Sequence, residues 1–282
     1  MQSEATLPAK EAELTTFPSK GAATIGFEEL LGGIRFWRVA HLIGISDLRH
    51  RYARSNLGQL WLTVSNGVMI GVLSGVWSLL WNQPIHQLAP FMGVSVIMWN
   101  YLSQMLLECT LVFAGQAHLY RNQKMNFSVS IYSVIYKNTI VFAHSLIIIV
   151  ILIVVFQVPV NWYFLQVVPA FGLTWAAMVW SGYLIALMCV RYRDIIQLIT
   201  TWLTVVFFVT PVMWMPDFLA PKHHWIIDFN PLAQFLEILR NPFLGQPVSS
   251  YTWLFTSVFA LGGGLIALAV IGRYRSRIIF WM

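Results

Sequence analysis

Long uncharged and largely apolar stretches dominate the chain, and their lengths predict membrane-spanning helices. No Asp, Glu, Lys or Arg occurs in residues 55–107 or 138–190, two windows of 53 residues each. Two shorter windows, 195–216 and 241–272, have 22 and 32 residues. One spanning helix takes about 20 residues at a rise of ~1.5 Å each. Each long window therefore accommodates two helices, and each short window accommodates one.

Turn signals at Asn82-Gln83-Pro84 and at residues 157–161 divide the two long windows. The apolar runs are continuous and do not alternate with period two, which favours helices over a membrane barrel. The predicted fold is an all-α polytopic membrane protein with a single transmembrane domain at 27–282, after a flexible cytoplasmic tail at 1–26. The six predicted spans are residues 58–81, 87–113, 138–157, 164–190, 195–214 and 252–272.

Lysine and arginine are distributed unevenly between the two sides that six spans would create. Fifteen fall on the side of the termini, and only Lys222 and Arg240 fall on the opposite side. Cytoplasmic segments of membrane proteins carry an excess of these residues. We therefore expect a multi-pass protein of the plasma membrane with both termini in the cytoplasm.

Composition excludes several classes of protein. Of the 282 residues, 58% are hydrophobic and 10% are charged, whereas soluble domains carry about 25% charged residues. The net charge of +6 is too dispersed to form a phosphate-binding stripe, so we expect membrane lipids and no nucleic acid as partners. No phosphate loop, nucleophile elbow or metal-ligand pattern occurs, which predicts no catalytic residue, metal or cofactor in this chain.

Two cytoplasmic segments carry candidate functions. Residues 27–56 mix apolar side chains with arginines and predict an amphipathic helix in the membrane interface. A cytosolic helix packed on the bundle is the alternative. Residues 115–137, the coupling segment, are short, polar and basic before they become apolar. They are either a docking element for a cytosolic partner or a plain linker.

The gate segment, residues 215–250, lies on the far side and is long for a loop. Asn230-Pro231 is a typical helix start, and Gly245 followed by Pro247 is a typical stop. The pattern predicts a short amphipathic helix between spans five and six. Such a helix is either a lid or plug, or a re-entrant or surface helix with a packing role only.

Charged residues at the span boundaries suggest further roles. Arg191, Arg193 and Asp194 join spans four and five, and Asp194 is placed to cap the fifth helix. Glu108 is the one carboxylate predicted inside a span. An interfacial position or an internal bond is favoured over a proton relay, because no second acid or histidine completes a relay. Both cysteines are predicted to be free and buried.

Aromatic residues are frequent, with 13 Trp among them. Trp175 and Trp202 fall at mid-span depth, where they cannot belong to an interfacial belt. They either fill packing gaps or line a conduit, and aromatic faces that stack on sugar rings would suit a polysaccharide. The candidate channel-lining residues are Trp99, Trp175, Trp202 and Phe207.

Three separated motifs occur in order along this topology. Residues 51–61 read RYARSNLGQLW, residues 190–195 read VRYRDI with TPV at 210–212, and residues 230–247 contain NPL, Glu237, Arg240, Gly245 and Pro247. From about residue 27 onward, the chain resembles the membrane permease of bacterial ABC exporters for O-antigen and capsular polysaccharide.

The resemblance implies a homodimer in the bacterial inner membrane, with a channel between the two copies. It also implies two nucleotide-binding subunits that hold ATP and Mg, and a lipid-linked polysaccharide as cargo. The residues assigned to coupling are Arg121, Asn122, Lys124, Phe127 and Tyr132. Those assigned to the interface where the cargo is admitted are Arg51, Tyr52, Arg54 and Trp61. Those assigned to the junction are Arg191, Arg193 and Asp194. Those assigned to the periplasmic gate are Asn230, Pro231, Glu237 and Arg240.

Other functions remain open on the residues alone. The same fold could export a teichoic acid, a drug or a lipid. A membrane-embedded enzyme of envelope-glycan synthesis is an alternative of another class, for which His223 and His224 would be the candidates. An ion-coupled carrier would need buried acids at the midplane and inverted repeats, and the sequence shows neither.

Overall fold

Helices make up nearly all of the described chain. A computed structural model describes residues 21–52, 60–122 and 125–282, and these contain no β-strand. The α-helices are α1 Ala22–Arg35, α2 Trp37–Tyr52, α3 Leu60–Trp81, α4 Ile85–Cys109, α5 Val112–Gly115, α6 Ala117–Asn122, α7 Ser128–Val155, α8 Val167–Arg191, α9 Asp194–Val209, α10 Trp225–Asp228, α11 Pro231–Phe243, α12 Ser250–Tyr274 and α13 Ile278–Trp281.

Four helical stretches of the described chain are long and apolar enough to cross a membrane. They are Thr63–Trp81, Ser128–Val155, Trp162–Arg191 and Ser250–Trp281. The predicted polytopic, all-α membrane class is confirmed. Four of the six predicted spans thus meet these criteria, and the other two correspond to α4 and α9.

The helices α4 and α9 depart from a typical span for different reasons. Residues 88–99 of α4 are all buried, and α4 contacts α3, α7, α8, α9 and α11. Because α4 faces protein on most sides, it carries polar side chains that a lipid-facing helix would avoid. Helix α9 has 16 residues, about 24 Å at the standard rise, which is shorter than a ~30 Å hydrocarbon core.

The amino-terminal region forms two helices where one was predicted. Helix α1 begins at Ala22, inside the predicted tail, and ends at Arg35, and α2 follows from Trp37. The break at Phe36 separates a helix that packs on α12 from one that packs on α7. The amphipathic pattern over residues 27–56 therefore merges two elements with different neighbours.

The predicted coupling segment is largely helical. Helices α5 and α6 occupy its first part, and α7 begins at Ser128, ten residues before the predicted start at 138. The ammonium of Lys137 lies 2.9 Å from the Glu108 carboxylate, so this charge is neutralised within the bundle. A rule that ends spans at charged residues misplaces this boundary, because it cannot detect the pairing.

Contacts between distant residues define two ends of the helical bundle. Arg51 and Lys137 both pair with Glu108, which places the ends of α2 and α4 beside the first part of α7. We call this the α1 end. At the opposite end, Asn161 donates a hydrogen bond of 2.8 Å to the Gly245 carbonyl. We call this the α11 end.

Candidate functional site

The side chain of Glu29, on α1, is completely buried at the α1 end of the bundle. Its Oε1 accepts a hydrogen bond of 3.0 Å from the Ser128 backbone N–H, and its backbone carbonyl accepts one of 2.5 Å from the Ser128 hydroxyl. The same carbonyl accepts one of 3.2 Å from Asn126 Nδ2. Its Oε2 forms an ion pair of 2.5 Å with Nε of Arg275. Glu29 thus joins the start of α7 to the end of α12.

Small residues allow α1 to reach this position. A Cβ at Gly26 would overlap the backbone carbonyl of Leu268 in α12. Only a glycine permits so close an approach of two helix backbones. This contact fixes α1 against α12 and places Glu29 over the amino terminus of α7, where a carboxylate also interacts favourably with the helix dipole.

Burial raises the pKa of the Glu29 carboxyl above its usual value, while the Ser128 hydrogen bonds and Arg275 act in the opposite direction. Sequence reasoning missed Glu29 as a functional residue. An acidic residue in an amphipathic helix is usually solvated. The only signal in the sequence was the nearby glycines, Gly26, Gly32 and Gly33, which allow this face of α1 to pack closely on neighbouring elements.

The predicted coupling residues divide into two groups. Phe127 is buried and packs against Tyr120, with ring centroids 4.6 Å apart. Tyr132 is half-buried and lies against α1, where its ring would overlap a Cβ placed at Gly33. Both anchor the segment to the bundle and do not project from it. Arg121 and Asn122 end α6, and Lys124 lies outside the described residues.

A charged cluster lies where α2, α4 and α7 meet. Glu108 accepts a hydrogen bond of 2.7 Å from Arg51 and one of 2.8 Å from Asn138. Lys137 lies 2.9 Å from Glu108 and 3.8 Å from Asp47. Glu108 is therefore internally bonded, as the sequence favoured. The pairing that holds it comes from α2 and α7, neither of which the sequence places beside α4.

Two of the four predicted interface residues line a cavity at this cluster. Arg51 and Tyr52 contribute to its wall, together with carboxamides from α3 and α4, and its volume is about 490 Å³. The side chain of Trp61 is exposed at the start of α3. Arg54 lies outside the described residues.

One of the three junction residues, Arg191, contacts the carboxyl-terminal helix. The Arg191 guanidinium lies 4.8 Å from the centroid of the Trp281 ring and 5.1 Å from that of Tyr192. Arg193 precedes α9, and Asp194 is the first residue of that helix with no side-chain capping bond. The predicted cap by Asp194 is wrong, because its side chain lies one position too far into the helix. Its charge still lies in the first turn, where the dipole favours it.

The four candidate channel residues lie in different surroundings. Trp99 is 6% exposed and packs inside the bundle against Phe207, with centroids 5.5 Å apart. Trp202 is 49% exposed. Trp175 is 43% exposed, and its indole N–H donates a hydrogen bond of 2.7 Å to the Tyr101 hydroxyl. A role in a channel remains a prediction for all four.

The helix of the gate segment begins and ends where the sequence predicts. Asn230 caps α11 by accepting hydrogen bonds from the backbone N–H groups of Leu232 and Ala233, and Pro231 is the first helical residue. Gly245 follows α11 with φ of +67°, which glycine adopts without strain. The helix is mostly buried, which argues against the alternative of a surface helix. It lies at the α11 end of the bundle.

Two charged residues of α11 are held by neighbouring elements. Arg240 is buried, donates a hydrogen bond of 2.9 Å to the Pro211 carbonyl, and lies 4.2 Å from the centroid of the Phe91 ring. Burial lowers the pKa of Arg240 to about 10, so it is still a cation at neutral pH. Glu237 accepts a hydrogen bond of 3.1 Å from Thr252 at the start of α12. Helix α11 is thereby fixed to three other elements.

Comparison with known proteins adds a family to this geometry. Residues 42–244 match the family described as ABC-2 type transporter. The O-antigen export system permease protein RfbA of Klebsiella pneumoniae is 21% identical over 228 residues, which cover 80% of this chain and 86% of the relative. A second RfbA of the same organism is 20% identical over 236 residues, which cover 82% and 90% of the two chains. The matched region extends from α2 through α11, and the chain belongs to the ABC-2 type transporter family as a multi-pass membrane component of a transporter.

Proposed function

We propose that this chain is the transmembrane subunit of an ATP-driven exporter that moves a lipid-linked polysaccharide of the O-antigen type across the bacterial inner membrane. The family match supports the transporter, and the similarity to O-antigen export permeases supports the cargo. The observation that carries the mechanism is the attachment of Asn126 and Ser128 to Glu29. It connects the predicted coupling segment to two other helices.

In the proposed topology six helices cross the membrane, namely α3, α4, α7, α8, α9 and α12, and both termini are cytoplasmic. The uneven distribution of lysine and arginine supports this orientation. The α1 end then faces the cytoplasm, and the α11 end faces the periplasm. Helix α4, although less apolar than the others, is shielded from lipid by five neighbouring helices.

A second copy of the chain completes the proposed channel. Helix α3 exposes apolar side chains along much of its length, and a Cβ at Gly71 or Gly75 would meet no heavy atom within 4 Å. A helix face with small residues allows a second helix to pack closely. Trp202 on α9 would then contribute to the wall of the conduit.

Two separate nucleotide-binding subunits, with ATP and Mg, would drive the cycle from the cytoplasmic side. Their closure would displace the coupling segment. Because Phe127 and Ser128 are packed against α1 and the bundle, a displacement there moves α1, α7 and α12 together. Opening the plug formed by α11 would let the glycan pass, and this chain would perform no covalent chemistry.

Deletion of the chain from its host tests the proposal. After deletion, we expect lipid-linked glycan to accumulate on the cytoplasmic side. In a second experiment, in cells that carry a tagged chain, we expect an ATP-binding subunit to co-purify with it. The purified chain alone should hydrolyse no ATP. Normal surface glycan after deletion, or ATP hydrolysis by the chain alone, would contradict the proposal.

A further inference from the structure

The α11 end of the bundle contains a cavity that differs from the one beside Arg51. Its volume is about 580 Å³, and it lies between the first turns of α4, the segment after α9 and helix α11. Its polar lining consists of His86, Gln87, Asp217, Glu237, Arg240, Asn241 and Gln246. A cavity of this size is large enough for one or two sugar rings.

The polar side chains of the cavity fall into two groups. Within the described residues, the side chains of His86, Gln87, Asp217 and Gln246 form no hydrogen bond or ion pair with the protein, so their hydrogen-bonding capacity is free. Glu237 is held in place by Thr252. Arg240, which forms part of the wall, already donates to Pro211 and Ser95.

This lining restricts the chemistry of an occupant. Two carboxylates face one guanidinium whose donors are largely used, so a phosphate-rich polyanion would be repelled. A hydrocarbon chain would leave the polar groups without partners, which is costly. Carboxylates and carboxamides together offer both acceptors and donors, which matches a neutral molecule with many hydroxyl groups.

Aromatic rings extend from the same place. Phe218, next to Asp217, packs edge-on against Trp81 with centroids 5.3 Å apart, and Trp81 stacks on Trp77 at 4.4 Å. Aromatic faces carry negative charge density and attract the C–H groups of sugar rings. A glycan leaving the cavity would therefore meet an apolar strip suited to it.

We propose that this cavity binds an uncharged hexose unit of the exported glycan at the exit of the channel. The proposal rests on the proposed function and sharpens it, because it names a neutral sugar as the recognised part of the cargo. Asp217 and Glu237 accept hydrogen bonds from sugar hydroxyls, and Gln87 and Gln246 donate and accept, while the carboxamide of Asn241 is already bonded to Arg240 and to the Pro247 carbonyl. A teichoic acid, with a phosphate in each repeat, would be excluded.

Binding to the purified complex tests the cavity directly. The chain and its co-purified ATP-binding subunit are titrated with the neutral oligosaccharides released by mild acid from the host's surface glycan, and with a poly(glycerol phosphate) oligomer. We expect the neutral fraction to bind and Asp217→Ala or Gln246→Ala to weaken it by about tenfold each. Lys222→Ala, in the same loop but outside the cavity, should leave the affinity unchanged. Equal binding of the polyanion, no binding of the neutral fraction, or unchanged affinity of the Asp217 and Gln246 variants would overturn the proposal.

Export in cells separates this inference from the proposed function. If deletion of the chain abolishes surface glycan but D217A and Q246A cells export normally, the cavity proposal fails and the exporter stands. If deletion changes nothing, the proposed function itself fails. The melting temperature and co-purification of the ATP-binding subunit confirm that each variant is folded, and Asp217→Asn, which keeps an acceptor oxygen, should retain part of the export.

Discussion

Glu29 and Arg275 form an ion pair of 2.5 Å that joins the first described helix to the end of α12. The same carboxylate accepts the backbone hydrogen bond of Ser128 at the start of α7. One buried residue therefore connects three helices at the end where the coupling segment lies. If force enters at residues 126–128, it reaches α1 and α12 through this contact.

Replacing Glu29 by Gln should lower both stability and coupling. The change leaves Arg275 unpaired, and loss of a charged hydrogen-bond partner from a buried site costs about 1–3 kcal/mol. We expect a lower melting temperature in detergent and weaker stimulation of the partner's ATPase by the chain. Arg275→Gln should have a similar effect, while Arg273→Gln, which removes an exposed cation two residues away, should not. Equal effects of the two arginine variants would contradict the role of the pair.

The raised pKa of Glu29 predicts a particular pH dependence. The folded protein binds the proton of this carboxyl more tightly than the unfolded chain does, so protonation favours folding. Its contribution to the free energy of unfolding is fully present below the unfolded pKa of about 4.3 and is lost as the pH rises through the raised pKa of the folded state. Melting temperatures of wild type and E29Q measured against pH should show this trend only in wild type. A wild type that loses stability on acidification relative to E29Q would show that ionised pairing with Arg275 dominates.

Glu108 and Lys137 should show strong coupling in a double-mutant cycle. Glu108→Met leaves the buried Lys137 ammonium with only the distant Asp47, and breaking a buried pair in this way costs about 3–5 kcal/mol. Adding Lys137→Met removes the unpaired charge, so the double variant should be more stable than Glu108→Met alone. Thermal unfolding in detergent measures both. Lys222→Met, at an exposed site, provides the comparison, and additive effects of the two substitutions would exclude the coupling.

Asn230 has two separable roles at the start of α11. Its Oδ1 caps the helix, and its Nδ2 donates a hydrogen bond of 2.9 Å to the Thr210 hydroxyl. Asn230→Ala removes both and should cost about 1–2 kcal/mol. Asn230→Asp keeps the cap, and Thr210→Val removes only the second bond, so both should be less destabilised in thermal unfolding. If Asn230→Asp is as unstable as Asn230→Ala, the cap is not the main contribution.

Alanine at two glycines should have opposite effects. Gly245 has φ of +67°, and a Cβ there would overlap the Pro159 carbonyl, so Gly245→Ala should destabilise the protein by more than about 1 kcal/mol. Gly172, within α8, has no heavy atom within 4 Å of its Cβ position. Gly172→Ala should stabilise by about 0.5–1 kcal/mol through helix propensity. Melting temperatures that move in the same direction for both variants would contradict this account.

Sequence patterns were reliable for elements whose cause is local. The start of α11 at Pro231 follows from an Asn cap and a proline at the first helical position, and its end follows from a glycine at positive φ. The helical membrane class follows from uncharged windows, because backbone groups in lipid must be satisfied within one segment. Each of these causes acts over a few neighbouring residues, so a single chain without relatives reveals it.

The sequence by itself determined the membrane class, the excess of basic residues on one side and the helix of the gate segment. Only the tertiary structure decided where α7 begins, that α11 is buried and that Glu29 is a junction of three helices. The physical reason is the same in each case. A charged residue such as Lys137 or Glu29 marks a surface unless a partner neutralises it, and its partner lies on another helix, at a distance along the chain that no local pattern encodes.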